Sequence, residues 1–165
     1  MRYSSTVLAL AACSALVLAA PAVRAQNAAP QGTVVVTRSA PDALLLWDAS
    51  SAVTALQTAK TAPAAGIASL EAEAMRIAVL HAPDVPNAKT VTVQIFYANT
   101  TYVNPTYPTA VYAGTVRLLS LTSSLADIVR SGGRLAETLE RGTIPPEVSV
   151  VVQGALPVPA PAPSP

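Results

Sequence analysis

Cysteine, histidine, aromatic and charged residues are all scarce in this chain of 165 residues. The single cysteine, Cys13, lies in an apolar N-terminal run. The remainder of the chain therefore forms no disulfide, supplies no thiolate nucleophile and binds no metal through sulfur. The single histidine, His81, excludes a histidine pair, a histidine-rich zinc site and an HExxH helix. No metal site and no cofactor are expected. Charged residues make up 12% of the chain and the formal net charge is +1, which gives no basic footprint for nucleic acid. The double glycine Gly132-Gly133 is not followed by Lys-Ser or Lys-Thr, so it reads as a turn rather than a phosphate cradle.

What the chain does have begins with a distinct N-terminal composition. Met1 and Arg2 give a short positive start, Thr6 to Ala20 is rich in Ala, Leu and Val, and Val23-Arg24-Ala25 ends in small residues suited to signal peptidase. Residues 1–25 therefore read as a cleaved signal peptide. The apolar run is shorter than the ~20 residues a membrane-spanning helix needs, so no transmembrane helix is expected in the mature chain. The run Leu10-Ala11-Ala12-Cys13 resembles a lipobox and offers a lipoprotein alternative through Cys13. The apolar stretch before Cys13 is short and continues past it, which favours cleavage after Ala25. Ten basic residues less Arg2 and Arg24 leave eight against nine acidic ones, a mature charge of −1. The reading is an exported protein, periplasmic or extracellular.

Residues 26–32 are polar and read as a flexible N-terminus, residues 33–155 as a single domain, and residues 156–165, LPVPAPAPSP, as a proline-rich disordered tail. Within the domain, Val34 to Val36 suit a strand. Leu44 to Trp47 form an apolar run that belongs to the core. Ala49 to Lys60 has helix formers that end before Pro63, and Ile67 to His81 carries the clearest amphipathic stripe, Ile67, Leu70, Ala74, Ile77 and His81. Val91, Val93, Ile95 and Tyr97 alternate with Thr92, Gln94 and Phe96 as one strand, answered by a β-branched run from Thr109 to Leu121. Ser124 with Asp127 signals a short helix closed by Gly132-Gly133, Arg134 to Arg141 a further helical turn or two capped by Gly142, and Val148, Val150 and Val152 a last strand. The expected fold is α+β, with about four mainly antiparallel strands and helices packed on one face. Val116, Leu119 and Leu121 do not alternate strictly, so a more helical region over 109–130 is the alternative.

The catalytic inventory is thin. His81 and Asp84 are three apart, but a histidine at a helix C-terminus is accounted for by the carbonyls it faces. Glu71 and Glu73 point in different directions and read as a solvated face; Glu137 and Glu140 read as surface ion pairs with Arg134 and Arg141. The most unusual local feature is Tyr97, Tyr102, Tyr107 and Tyr112 at five-residue spacing. Tyr97 and Tyr112 are assigned to the sheet. Tyr102 and Tyr107, with Asn99 and Asn104, form a candidate recognition surface in the loop between the two strands, for a glycan or an envelope protein. The expected function is a non-catalytic binding or envelope-associated module. The alternatives are a small exported hydrolase or transferase using carboxylate and tyrosine groups, and a structural protein pairing through a sheet edge.

Overall fold

The computed structural model describes residues 32–103 and 111–157. The fold is α+β, with a five-stranded, mostly antiparallel sheet and three α-helices. The strands are β1 (Val34–Arg38), β2 (Asp42–Asp48), β3 (Thr90–Val103), β4 (Val111–Ser124) and β5 (Val148–Val152), and they lie in sequence order across the sheet. Helices α1 (Ser50–Thr58) and α2 (Pro63–His81) connect β2 to β3, and α3 (Leu125–Glu140) connects β4 to β5. A two-helix crossover of this kind returns the chain in the same direction, so β2 and β3 are the one parallel pair. No described helix is long and apolar enough to cross a membrane.

One face of the sheet carries the core. Ala43, Leu45 and Trp47 of β2, Val91, Val93, Ile95 and Tyr97 of β3, and Leu119 and Leu121 of β4 are all buried against Leu70, Ala74, Met75 and Ile77 of α2 and Ile128, Leu135 and Leu139 of α3. The strand alternation read from Val91 to Tyr97 therefore faces a single helical layer. On the opposite face, Leu44, Leu46, Thr92, Gln94, Phe96 and Thr122 are only half-buried.

Several sequence expectations change. The sheet has five strands, not four: the apolar run Leu44 to Trp47 is itself strand β2, and its partnership with β3 is parallel. Helix α1 ends before Pro63 as expected, but α2 begins at Pro63 and not at Ile67, with the proline in its first turn where its missing N–H costs nothing. Gly132-Gly133 is not a turn; α3 runs through it without a break. At position 132 the glycine permits close helix packing, since a Cβ there would fall 2.2 Å from Val79 Cγ2 of α2. The Ser124 cap forms as the sequence suggests, its hydroxyl accepting from Asp127 N at 3.0 Å and donating to Asp127 Oδ2 at 2.6 Å. That hydroxyl holds the Asp127 carboxyl below its ordinary value. Gly142 takes a positive φ of 76° just past α3, as a helix-terminating glycine does.

Of the region 109–130, the described residues from Val111 to Ser124 form β4 and α3 begins at Leu125, and the broken alternation has a cause. Pairing steps from Ile95–Leu119 to Phe96–Arg117, leaving Leu118 as an extra residue on β4. This bulge lets Leu118 and Leu119 both be buried. The Leu118 carbonyl accepts from Gln153 N and Gly154 N, so the bulge also anchors the chain leaving β5. From there the chain stays in the fold beyond residue 155. The Tyr97 hydroxyl donates to Ala155 O at 2.9 Å, Leu156 packs on the core beside Gly66, and Gln57 Nε2 approaches Pro157 O at 3.4 Å. Leu156 and Pro157 thus belong to the packed structure, and the rest of the proline-rich tail lies outside the described residues.

Candidate functional site

Strands β3 and β4 outrun their neighbours. On one flank β2 ends at Asp48, opposite Phe96; on the other β5 ends at Val152, opposite Leu119, which pairs with Ile95. Beyond these rungs residues 97–103 and 111–117 continue as a two-stranded arm, about 20 Å long at ~3.3 Å per residue. Such a ribbon is marginal by itself. Here it is rooted in the sheet, and Tyr97, buried at its base, ties it to the C-terminal segment. A second irregularity, between the pairs Asn99–Gly114 and Tyr102–Tyr112, places an extra residue on β3 within the arm.

The candidate residues fall on this arm in part. Asn99 lies in β3 opposite Gly114, and Tyr102 lies in β3 opposite Tyr112. Tyr102 is therefore in strand register rather than in a loop, and the connection is shorter than the sequence suggests. Asn104 and Tyr107 lie outside the described residues.

At the root of the arm, where the two parallel strands end, is an open groove of about 310 Å³ lined by Thr33, Val35, Leu46, Asp48, Phe96, Tyr97, Ala98 and Thr115. The carboxyl ends of parallel strands commonly frame ligand sites, because the chain must diverge there. Here β2 turns away into α1, and Asp48 secures the turn: its Oδ1 accepts from Ser50 N at 3.0 Å and Ser50 Oγ at 2.5 Å, and Ser50 Oγ accepts from Ala98 N. Phe96 forms part of the wall, with the Arg117 guanidinium 5.5 Å from the ring centroid, a cation–π contact. The groove therefore presents an aromatic ring, apolar side chains and the exposed Asp48, with the Arg117 guanidinium beside the Phe96 ring. That set suits recognition of a polar partner with an apolar portion.

Sequence reasoning did not single out Asp48, Phe96 or Arg117 for this groove. Phe96 was legible only as belonging to the face opposite Val91, Val93 and Ile95.

The remaining titratable groups sit elsewhere. The His81 Nδ1 lies 2.8 Å from Asp84 Oδ2 at the end of α2, away from the groove. Among the described residues no group of three or more His, Cys, Asp or Glu side chains is placed to hold a metal. Arg76 bridges Glu73 at 3.1 Å and Glu140 at 2.6 Å, so Glu140 pairs across the helices, while Glu137 lies 3.7 Å from Arg141.

Glu71 departs from the solvated face expected of it. It is 5% exposed, because position 71 falls between the row of α2 that meets the sheet (Leu70, Ala74, Ile77) and the row toward α3 (Ala72, Met75, Val79). Burial pushes its carboxyl above the ordinary 4.5. A group whose folded pKa is raised is protonated in the folded state over a pH range in which the unfolded chain has already lost the proton. Stability is thus greatest below the ordinary value and falls as pH rises through the raised one. Glu71→Gln should remove this fall. Thermal melts from about pH 4 to pH 8 should show the variant a few degrees above wild type at neutral pH and level with it at the acid end. An equal gain at every pH would show that ionisation of Glu71 is not the cause.

No protein-family model, curated protein or solved structure matches the chain.

Proposed function

We propose that the chain is an exported, non-catalytic binding module of the cell envelope, engaging a glycan or an envelope protein through the β3–β4 arm and the groove at its root. The observation that carries this reading is the arm. Two strands extend past the strands on either side, and they carry Asn99, Tyr102 and Tyr112 in the part of the ladder that no third strand flanks. Tyrosine offers large contact area at low entropic cost, and an arm standing clear of the body can reach a partner without rearranging the core. The groove supplies a second, chemically mixed contact beside it. Export rests on residues 1–25, with the mature chain beginning at Gln26.

The test is affinity capture from envelope extract with the mature chain, identification of what is retained, and titration of that purified partner. Tyr102→Ala combined with Tyr107→Ala should weaken binding by about tenfold to a hundredfold, the usual effect of losing an aromatic hot spot, with far-UV circular dichroism and melting near wild type. His81→Gln should bind normally. Intact mass of the exported protein should start at Gln26 with no acyl group on Cys13. Unfolding of the tyrosine variant, or normal binding by it, would end the arm reading.

A further inference from the structure

The sheet has two edges, and they are built differently. At the β1 edge the pairing with β2 is interrupted between Val36 and Arg38, and the strand ends in a charged residue whose Nε donates to Asp42 O at 2.6 Å. A bulge and a charge are the usual means of blunting an edge against further pairing. The β5 edge carries neither. Val148 to Val152 pair with β4 rung by rung without interruption, Val152 opposite Leu119 through Val148 opposite Ser123. The strand contains no charge, proline or glycine. Val151 on the uncovered face is 52% exposed, and Val152, on the face that the helices cover elsewhere, is 55% exposed. Among the described residues no strand occupies the outer side of β5.

We infer that β5 pairs antiparallel with β5 of a second copy of this chain, about a twofold axis at Val150, joining two five-stranded sheets into one. The strand is complementary to itself in this register. Val150 meets its own copy, Val148 meets Val152, and Ser149 meets Val151. The flanking Glu147 falls opposite Gln153, so no like charges are brought together. Val148, Val150 and Val152 share the helix-side face, so the pairing lays the two valine rows side by side and covers the exposed Val152. An isologous contact of this kind closes on itself and stops at two copies, whereas pairing β5 with the interrupted β1 edge would propagate. The inference is independent of the partner assigned to the arm, since β5 ends at the level of Leu119, below it. A single pair of five-residue strands buries less than the ~1,600 Å² of a standard stable interface, so the dimer is a weak one.

Sedimentation equilibrium of the mature chain up to about 200 μM should show a reversible monomer–dimer equilibrium, as befits an interface below standard size. Ser149→Lys/Val151→Lys sets introduced lysines opposite each other across the axis and should weaken the dimer about tenfold or more. Ser149→Lys/Val151→Glu sets opposite charges against each other in the same register and should restore most of the association. Should the double-lysine chain fail to fold, hydrogen exchange on the wild type decides: the β5 amides pointing away from β4, apart from that of Val148, which already donates to Pro145 O, should gain protection as concentration rises. The inference is overturned if the wild type stays monomeric at the highest concentration. It is equally overturned if the lysine and lysine–glutamate variants associate alike, or if β5 exchange is independent of concentration.

Discussion

Ile77→Ala should cost about 2–5 kcal/mol of folding stability, the loss of a buried aliphatic side chain plus the cavity it leaves. Ile77 has no exposed surface and lies on the row of α2 that meets the sheet beside Leu70, Ala74 and Met75. Leu80→Ala, three residues further along the same helix, should change stability by only about 0.5 kcal/mol, since Leu80 is 58% exposed. Urea denaturation of both variants gives the contrast directly. Similar losses at the two positions would mean that α2 does not face the sheet as described.

Gly132→Ala and Gly133→Ala should move stability in opposite directions. Both glycines lie inside α3 with ordinary helical backbone, where alanine is favoured over glycine by about 0.5–1 kcal/mol. At position 133 no atom lies within 4 Å of the added Cβ, so the full gain should appear. At position 132 the Cβ would stand 2.2 Å from Val79 Cγ2. Val79 is branched at Cβ and its own Cβ stands 3.7 Å from the added atom, so either it leaves its rotamer or the helices part. Overpacking of this kind costs about 1–3 kcal/mol, which exceeds the propensity gain. Equilibrium melts of the two single variants check it, and stabilisation by both would show that α2 and α3 are less closely packed at this crossing.

This pair of glycines also shows what a linear reading misses. Two adjacent glycines are a local signal for a helix end, and only the approach of Val79 from another helix explains why the first sits inside one. The strand β2 was hidden for a related reason. Leu45 and Trp47 face the helices while Leu44 and Leu46 face the open side, so both sets are apolar and the period-2 pattern that exposed β3 vanishes. In β4 the pattern is present but shifted by the extra residue at Leu118, which no local cue marks. By contrast, the alternation from Val91 to Tyr97, the amphipathic stripe of α2, the Ser124 cap and the Gly142 terminus depend on neighbours in sequence, and they were legible. The groove was not. Asp48, Phe96 and Arg117 come together only through the register of three strands, and spacing along the chain carries no trace of it.

The bond from the Tyr97 hydroxyl to Ala155 O fixes more than the tail. It places the chain's departure at the root of the arm. The entry point lies at the same end: Gly32, at a φ of 120°, sits so close to the Asp48 carbonyl that a side chain there would collide with it, and Asp48 is the rung opposite Phe96. Among the described residues, the first, the last and the arm thus lie at one end of the sheet. A change at Gly32 or at Ala155 therefore acts on the base of the arm, whereas one at the helix–strand junctions around His81 and Thr90 acts at the other end of the sheet.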